Sequence, residues 1–88
     1  MRLSRYLRVC DPDEAVFEQS IDVVNYYHDL EDRLEVLIAG LRPNQAVRRA
    51  TLNRQLEVVT QLRKAWDRKR IRASRTWGRV LQERRQAI

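Results

Sequence analysis

Two stretches of heptad-spaced apolar residues, joined by a short segment that contains a glycine and a proline, constrain the fold most. The chain has 88 residues, with two glycines and two prolines, so it forms one small domain with few helix breakers. Apolar spacings that alternate between four and three are typical of helices packed as in a coiled coil. The sequence therefore predicts an all-α fold, an antiparallel two-helix hairpin with coiled-coil-like packing.

The predicted helix boundaries follow from capping residues. Asp11 can cap a first helix over 12–40, because its carboxylate can accept from the free amides of the first turn and Pro12 suits the first helical position. Gly40 can end this helix in the left-handed conformation, with Pro43 blocking continuation. A turn over 41–44 follows.

The second helix is predicted over 45–88. Asn44 is its expected cap, and Gly78 marks a point where it can kink or end. The hairpin domain then covers 11–88, and residues 1–10 form a basic N-terminal arm with three arginines and no acid.

The two apolar seams predict a register. In the first helix the seam comprises Val16, Ser20, Val23, Tyr27, Leu30, Leu34, Leu37 and Leu41. In the second helix it comprises Leu52, Gln55, Val59, Leu62, Trp66, Lys69, Ala73, Trp77 and Val80. Folding the helices antiparallel places Leu30 opposite Val59 and the polar Ser20 opposite Lys69. The expected ion pairs between the helices are Glu35 with Arg54, Asp22 with Arg68, and Glu18 with Arg70 or Arg72.

Charge is divided between the halves of the chain. Residues 11–41 carry nine acids and one base, whereas residues 63–88 carry ten bases and two acids, and the net charge is +6. The acidic and basic segments can therefore form ion pairs with each other, and a surplus of positive charge remains. Surplus basic charge favours an anionic partner, which is nucleic acid, an acidic protein surface or an anionic membrane surface.

Candidate contact residues lie in the basic part of the second helix. Arginine and lysine can bind phosphates, and an indole ring can stack on a base. The predicted binding residues for nucleic acid or an acidic partner are Arg68, Lys69, Arg70, Arg72, Arg75, Trp77 and Arg79. Trp66 lies on the seam and is expected in the core. The alternative interpretation of the basic run is a solvated face opposite the first helix.

A second apolar stripe on the first helix indicates self-association. A two-helix hairpin buries one stripe per helix, yet Phe17, Ile21 and Val24 lie off the predicted seam. These three residues are predicted to form the contact of a homodimeric four-helix bundle. Docking into a larger assembly is the alternative.

No motif in the sequence indicates catalysis, so the chain is interpreted as a non-enzyme without a metal or cofactor. His28 and Asp32 supply at most half of a metal site, and Cys10 is the only cysteine. The predicted location is cytoplasmic, with an organelle matrix as the alternative because the N-terminus is short and Arg-rich.

The N-terminal arm and the C-terminal tail of the second helix are expected at the same end of the hairpin, where their arginines form a basic pole. The sequence thus predicts a small non-catalytic binding protein whose Arg-rich helix and basic pole contact nucleic acid. The alternative is an adaptor, inhibitor or structural subunit that docks on an acidic protein surface. Association with a membrane surface is a third, weaker interpretation.

Overall fold

Two α-helices make up the part of the chain that the computed structural model describes, residues 11–87. Helix α1 spans Pro12–Ala39 and helix α2 spans Ala46–Gln86, and no strand occurs among these residues. The helices pack against each other, and the 66 Å long axis of the molecule is close to the length of about 61 Å expected for α2 alone. Helix α1 therefore folds back along α2, which confirms the predicted all-α hairpin. The N-terminal arm lies outside the described residues.

The start of α1 follows the predicted capping. Asp11 has an extended backbone, and its Oδ1 accepts a hydrogen bond of 3.0 Å from the amide of Asp13. Pro12 occupies the first position of the helix, where a missing N–H costs nothing. Asp13 and Glu14 place negative charge in the first turn, where it favours the helix dipole.

The connection between the helices differs from the prediction in two ways. Gly40 has φ −82° and ψ −5°, which is a right-handed conformation, so the expected left-handed cap was wrong. The amide of Leu41 instead donates to the carbonyl of Ile38 at 3.1 Å, which tightens the last turn. Gln45, not Asn44, precedes α2, and its side-chain oxygen accepts from the amide of Arg42 at 2.9 Å. The turn is therefore closed by the side chain of Gln45.

Helix α2 continues without interruption through Gly78. A Cβ atom built at Gly78 meets nothing within 4 Å, so this glycine lies on an open side of the helix and needs no special conformation. Because α2 is 41 residues long and α1 only 28, the C-terminal part of α2 extends past the start of α1.

The core is small. Among residues 11–87, four apolar residues are buried, namely Val23, Val24, Leu52 and Ala73, and Ser20 is fully buried beside them. The hydroxyl of Ser20 donates to the carbonyl of Phe17 at 2.6 Å within the same helix. Lys69, predicted to lie opposite Ser20, is exposed. The buried hydroxyl of Ser20 is therefore satisfied inside α1 and needs no partner on α2.

The predicted register holds, but some seam positions, most of them in α2, are displaced by one residue. Leu30 and Val59, predicted to lie opposite each other, line the same groove. Leu37 and Leu62, however, are 50% and 42% exposed. In α1 the positions turned inward are Ser20, Val23, Val24, Tyr27, Leu30, Glu31, Leu34 and Ile38; in α2 they are Leu52, Leu56, Val59, Arg63, Trp66, Arg70, Ala73, Trp77 and Val80.

An ion pair between the helices accounts for the seam positions that differ from the prediction. Glu31 and Arg63, which follow Leu30 and Leu62 in the chain, meet across the helix interface. Val23 and Val24 are adjacent and both buried, so a rotation of α1 by one residue loses little apolar burial in the core. The rotation leaves Leu37 and Leu62 on one exposed face of the hairpin.

Candidate nucleic-acid interface

The basic residues of α2 fall into two sets that differ in direction and in pairing. One set points into or beside the seam and is paired with acids: Arg63 with Glu31, Arg70 with Asp67, and Arg84 with Asp11. The other set is exposed and has no ion pair among the described residues, although one of its members, Arg72, lines a cavity with Asp13 and Val16 of α1. This division decides which positive charges remain available to a partner.

Arg63 and Glu31 form a half-buried ion pair between the helices. Glu31 accepts from the Nε of Arg63 and, at 3.1 Å, from the hydroxyl of Thr60. The side chains of Arg63 and Glu31 are 20% and 13% exposed. The positive charge of Arg63 is therefore used to join the helices.

The ion pairs between the helices are not those that the sequence predicted. Glu35 and Arg54 are both exposed, and Arg70 pairs with Asp67 of its own helix, at 2.7 Å. Within residues 11–87, the pairs seen between a residue of α2 and the first half of the chain join Arg63 to Glu31 and Arg84 to Asp11.

The far end of α2 is tied to the start of α1 by three side chains. Arg84 donates to the Oδ2 of Asp11, whose other oxygen caps α1. The guanidinium carbon of Arg84 lies 5.4 Å from the centre of the Trp77 ring, which is within the range of a cation–π contact. Trp77, predicted as a stacking residue for a partner, is half-buried and carries Arg84 on its ring.

An outward row of basic side chains lies on the opposite side of α2 from the seam. This basic stripe comprises Lys64, Arg68, Arg72, Arg75 and Arg79, all of them exposed. Their spacings of four, four, three and four keep them on one side of a helix, and the row is about 22 Å long at 1.5 Å per residue. Between Glu57 and Glu83 the only acid of α2 is Asp67, which pairs with Arg70.

No ion pair among the described residues involves the basic stripe. Four of its members, Arg68, Arg72, Arg75 and Arg79, belong to the predicted binding set. Sequence reasoning missed Lys64, although its position four residues before Arg68 was a usable signal. The stripe is therefore a continuous row of positive charge facing solvent.

Two other predicted binding residues lie outside the stripe. The Nζ of Lys69 lies 4.4 Å from the centre of the Trp66 ring, so this lysine follows the side of the hairpin toward α1. Arg70 is held by Asp67. The predicted core residue Trp66 is half-buried, with its ring covered in part by Lys69.

The predicted self-association residues differ in exposure. Val24 is buried within the hairpin, whereas Phe17 and Ile21 are half-buried. The large apolar side chains that the structure leaves exposed include Leu37, Val58 and Leu62. Self-association through Phe17 and Ile21 stays a prediction, and Leu37, Val58 and Leu62 add apolar surface that the prediction did not include.

The chemistry of the described residues gives no further site. Residues 11–87 contain no group of three His, Cys, Asp or Glu side chains arranged to hold a metal ion. Neither α1 nor α2 has a stretch apolar enough and long enough to span a membrane. Comparisons with protein-family models, with curated proteins and with solved structures gave no match.

Proposed function

We propose that this chain is a small non-catalytic protein that binds nucleic acid by placing the basic stripe of α2 against the phosphate backbone. The observation that carries the proposal is the stripe itself: five exposed bases in one row, with no acid of the described residues paired to any of them. The remaining arginines of the second half of α2 either form ion pairs within the hairpin or lie C-terminal to the stripe.

The length and chemistry of the stripe suit a polyanion. Duplex DNA carries one negative charge per about 1.7 Å, so a row of about 22 Å runs beside about 13 phosphate charges. Guanidinium groups donate to phosphate oxygens in pairs, which gives four of the five positions a strong geometry. Contacts to phosphates fix position without reading bases. Binding is therefore expected to be largely independent of nucleotide sequence.

The proposed binding form is a homodimeric four-helix bundle. The single hairpin buries only four apolar residues among those described, and chains of this size often need a partner to complete a core. Pairing of two hairpins into a bundle is a common solution for helices with a second apolar face.

The salt dependence of binding tests the role of the stripe. The measurement is the affinity for a fluorescent duplex at several salt concentrations. Five phosphate contacts give a slope of log K against log salt of about −4.5. Changing Arg68, Arg72 and Arg75 together to Gln removes three contacts and should reduce the slope by about 2.7.

A matched control removes the same net charge elsewhere. The exposed residues Arg42, Arg48 and Arg85, also changed together to Gln, lower the net charge by three but leave the stripe intact. The slope of log K against log salt for the control variant should stay close to that of the wild type. Equal losses in both triple variants would contradict the proposal, because binding would then follow net charge alone.

A competition assay separates nucleic acid from the alternative partner, an acidic protein surface. Polyglutamate offers carboxylates without phosphates or bases. If polyglutamate displaces duplex and single-stranded nucleic acid at equal charge concentration, the adaptor interpretation is favoured. If it displaces neither, the phosphate backbone is the preferred ligand.

A further inference from the structure

One face of the hairpin is apolar along the middle of both helices. A groove of about 550 Å³ between α1 and α2 is lined mainly by carbon, with Leu30 and Leu34 on one side and Val58 and Val59 on the other. Leu37 and Leu62 are 50% and 42% exposed, and at 100° per residue they lie within about 40° of Leu30 and Val58 around their helices, so we place them on the same surface. We call this surface the apolar face. Exposed contiguous apolar surface of this kind marks an interaction site.

The chain exposes enough surface to supply a stable interface. Its accessible area is 7087 Å², whereas a compact monomer of 10.6 kDa exposes about 5,500 Å². Part of this difference comes from the elongated shape of the hairpin, and an interface of standard size needs only roughly 800 Å² from each partner.

We infer that a second copy of this chain covers the apolar face, and that each α1 packs against α2 of the other copy. Charge decides between the two ways of stacking the hairpins. Helix α1 contains eight acids and one base, whereas α2 contains thirteen bases and three acids. Stacking α1 on α1 brings like charges together, but stacking α1 on α2 surrounds each acidic helix with basic ones.

The pairing of α1 with the other copy's α2 also matches the apolar residues. It requires a two-fold axis parallel to the helices, so both hairpins lie at the same height. Leu30 then lies at the level of Val58 and Leu62 of the second copy, and Leu37 lies at the level of Thr51. Neighbouring helices are antiparallel throughout, as in ordinary four-helix bundles.

The interface leaves most of the basic stripe free. At 100° per residue, Lys64, Arg68 and Arg75 lie about 80–120° around α2 from Val58, whereas Arg72 lies about 40° from it. Lys64, Arg68 and Arg75 therefore remain exposed in the dimer, and Arg72 lies at the edge of the interface. This inference names the interface of the dimer proposed above, and it does not depend on the binding of nucleic acid.

Molar mass in solution, measured by light scattering without nucleic acid, tests the interface. The wild-type chain should have the mass of a dimer. Val58→Glu and Leu37→Glu place a charge in the apolar face and should each shift the mass toward a monomer. Ile71→Glu is the matched control, because Ile71 is also partly exposed but lies about 140° around α2 from Val58. Ile71→Glu should remain a dimer.

Disulfide trapping tests the pairing of helices. In a Cys10→Ser background, chains with Leu37→Cys are mixed with chains with Thr51→Cys and oxidised. The mixture should give a cross-linked dimer in much higher yield than either chain alone. Self-linking of a Leu30→Cys chain at higher yield than the mixture would overturn the pairing, because it places α1 against α1.

Two results would overturn the second copy as the occupant. One is a wild-type monomer whose unfolding midpoint does not change with protein concentration. The other is a dimer mass for both single variants, Val58→Glu and Leu37→Glu. Neither result bears on the binding of nucleic acid, because the salt slope tests the side chains of the basic stripe and the molar mass tests those of the apolar face.

Discussion

Removing either Glu31 or Arg63 should destabilise the hairpin, because the remaining partner is left as an unpaired, half-buried charge. Removing one partner of a fully buried pair costs about 3–5 kcal/mol, and an exposed pair contributes about 0.2–1 kcal/mol. With side chains that are 13% and 20% exposed, Glu31→Leu or Arg63→Leu should each cost about 2–3 kcal/mol.

The double variant should recover most of this loss. Both positions belong to the inward seam, so Glu31→Leu with Arg63→Leu places two apolar side chains against each other. Replacing a buried pair by apolar residues is often neutral or stabilising. Thr60 loses its acceptor, but a helical threonine can donate to the carbonyl four residues before it. The double variant should therefore unfold within about 1 kcal/mol of the wild type or above it.

Urea unfolding followed by circular dichroism at 222 nm measures these free energies. Protein concentration must be the same in all samples, because dimer formation shifts the midpoint. Glu35→Leu is the control, since Glu35 lies one turn away and is exposed, and it should change stability by less than about 0.5 kcal/mol. A double variant as unstable as the sum of the two single changes would refute the reasoning.

Three further substitutions test the local structure. Gly78→Ala should stabilise the protein by about 0.5–1 kcal/mol and raise the melting temperature, because the added methyl group meets nothing and alanine favours the helix. Val23→Ala should cost about 2 kcal/mol in urea unfolding, whereas Val36→Ala, at an exposed position, should be nearly neutral. Asp11→Ala should lower the unfolding free energy by about 1 kcal/mol, and Asp11→Asn, which keeps a capping oxygen, should lower it less.

Apolar spacing predicted the two helices and their register, but not which of two adjacent residues faces inward. At Leu37 and Ile38 both side chains are apolar, so the pattern fits either choice. At Glu31 the choice was misjudged because a carboxylate looks unsuited to a seam. Its partner Arg63 lies 32 residues away, and the gain from such a pair depends on the fold already being formed.

The sequence predicted only part of the candidate interface, because the direction of each basic side chain around the helix was not considered. The run of basic residues was treated as one site, but neighbouring residues on a helix point 100° apart. Lys69 and Arg70 therefore turn toward Trp66 and Asp67, while Arg68 turns outward. Tracing the row by spacings of three and four would have excluded Arg70 and included Lys64.

The stripe should destabilise the very helix that carries it, and this cost supports a role in binding. Its five bases form four neighbouring pairs at i,i+3 or i,i+4, and like charges at these spacings cost about 0.2–0.5 kcal/mol per pair. Changing Arg68, Arg72 and Arg75 together to Gln breaks all four pairs and keeps a residue of similar helix propensity. This variant should therefore be more stable than the wild type by about 1–2 kcal/mol at low salt. The gain should shrink as salt screens the charges.

The same unfolding experiment supplies the control. Arg42, Arg48 and Arg85 are not i,i+3 or i,i+4 neighbours of one another, so their triple change to Gln should give no comparable gain although it removes the same charge. A stripe variant that is less stable than the wild type would mean that these arginines hold the hairpin together. If the stripe variant instead gains stability and loses affinity for the duplex, the row of charges opposes folding and favours binding. That combination is typical of residues kept for function.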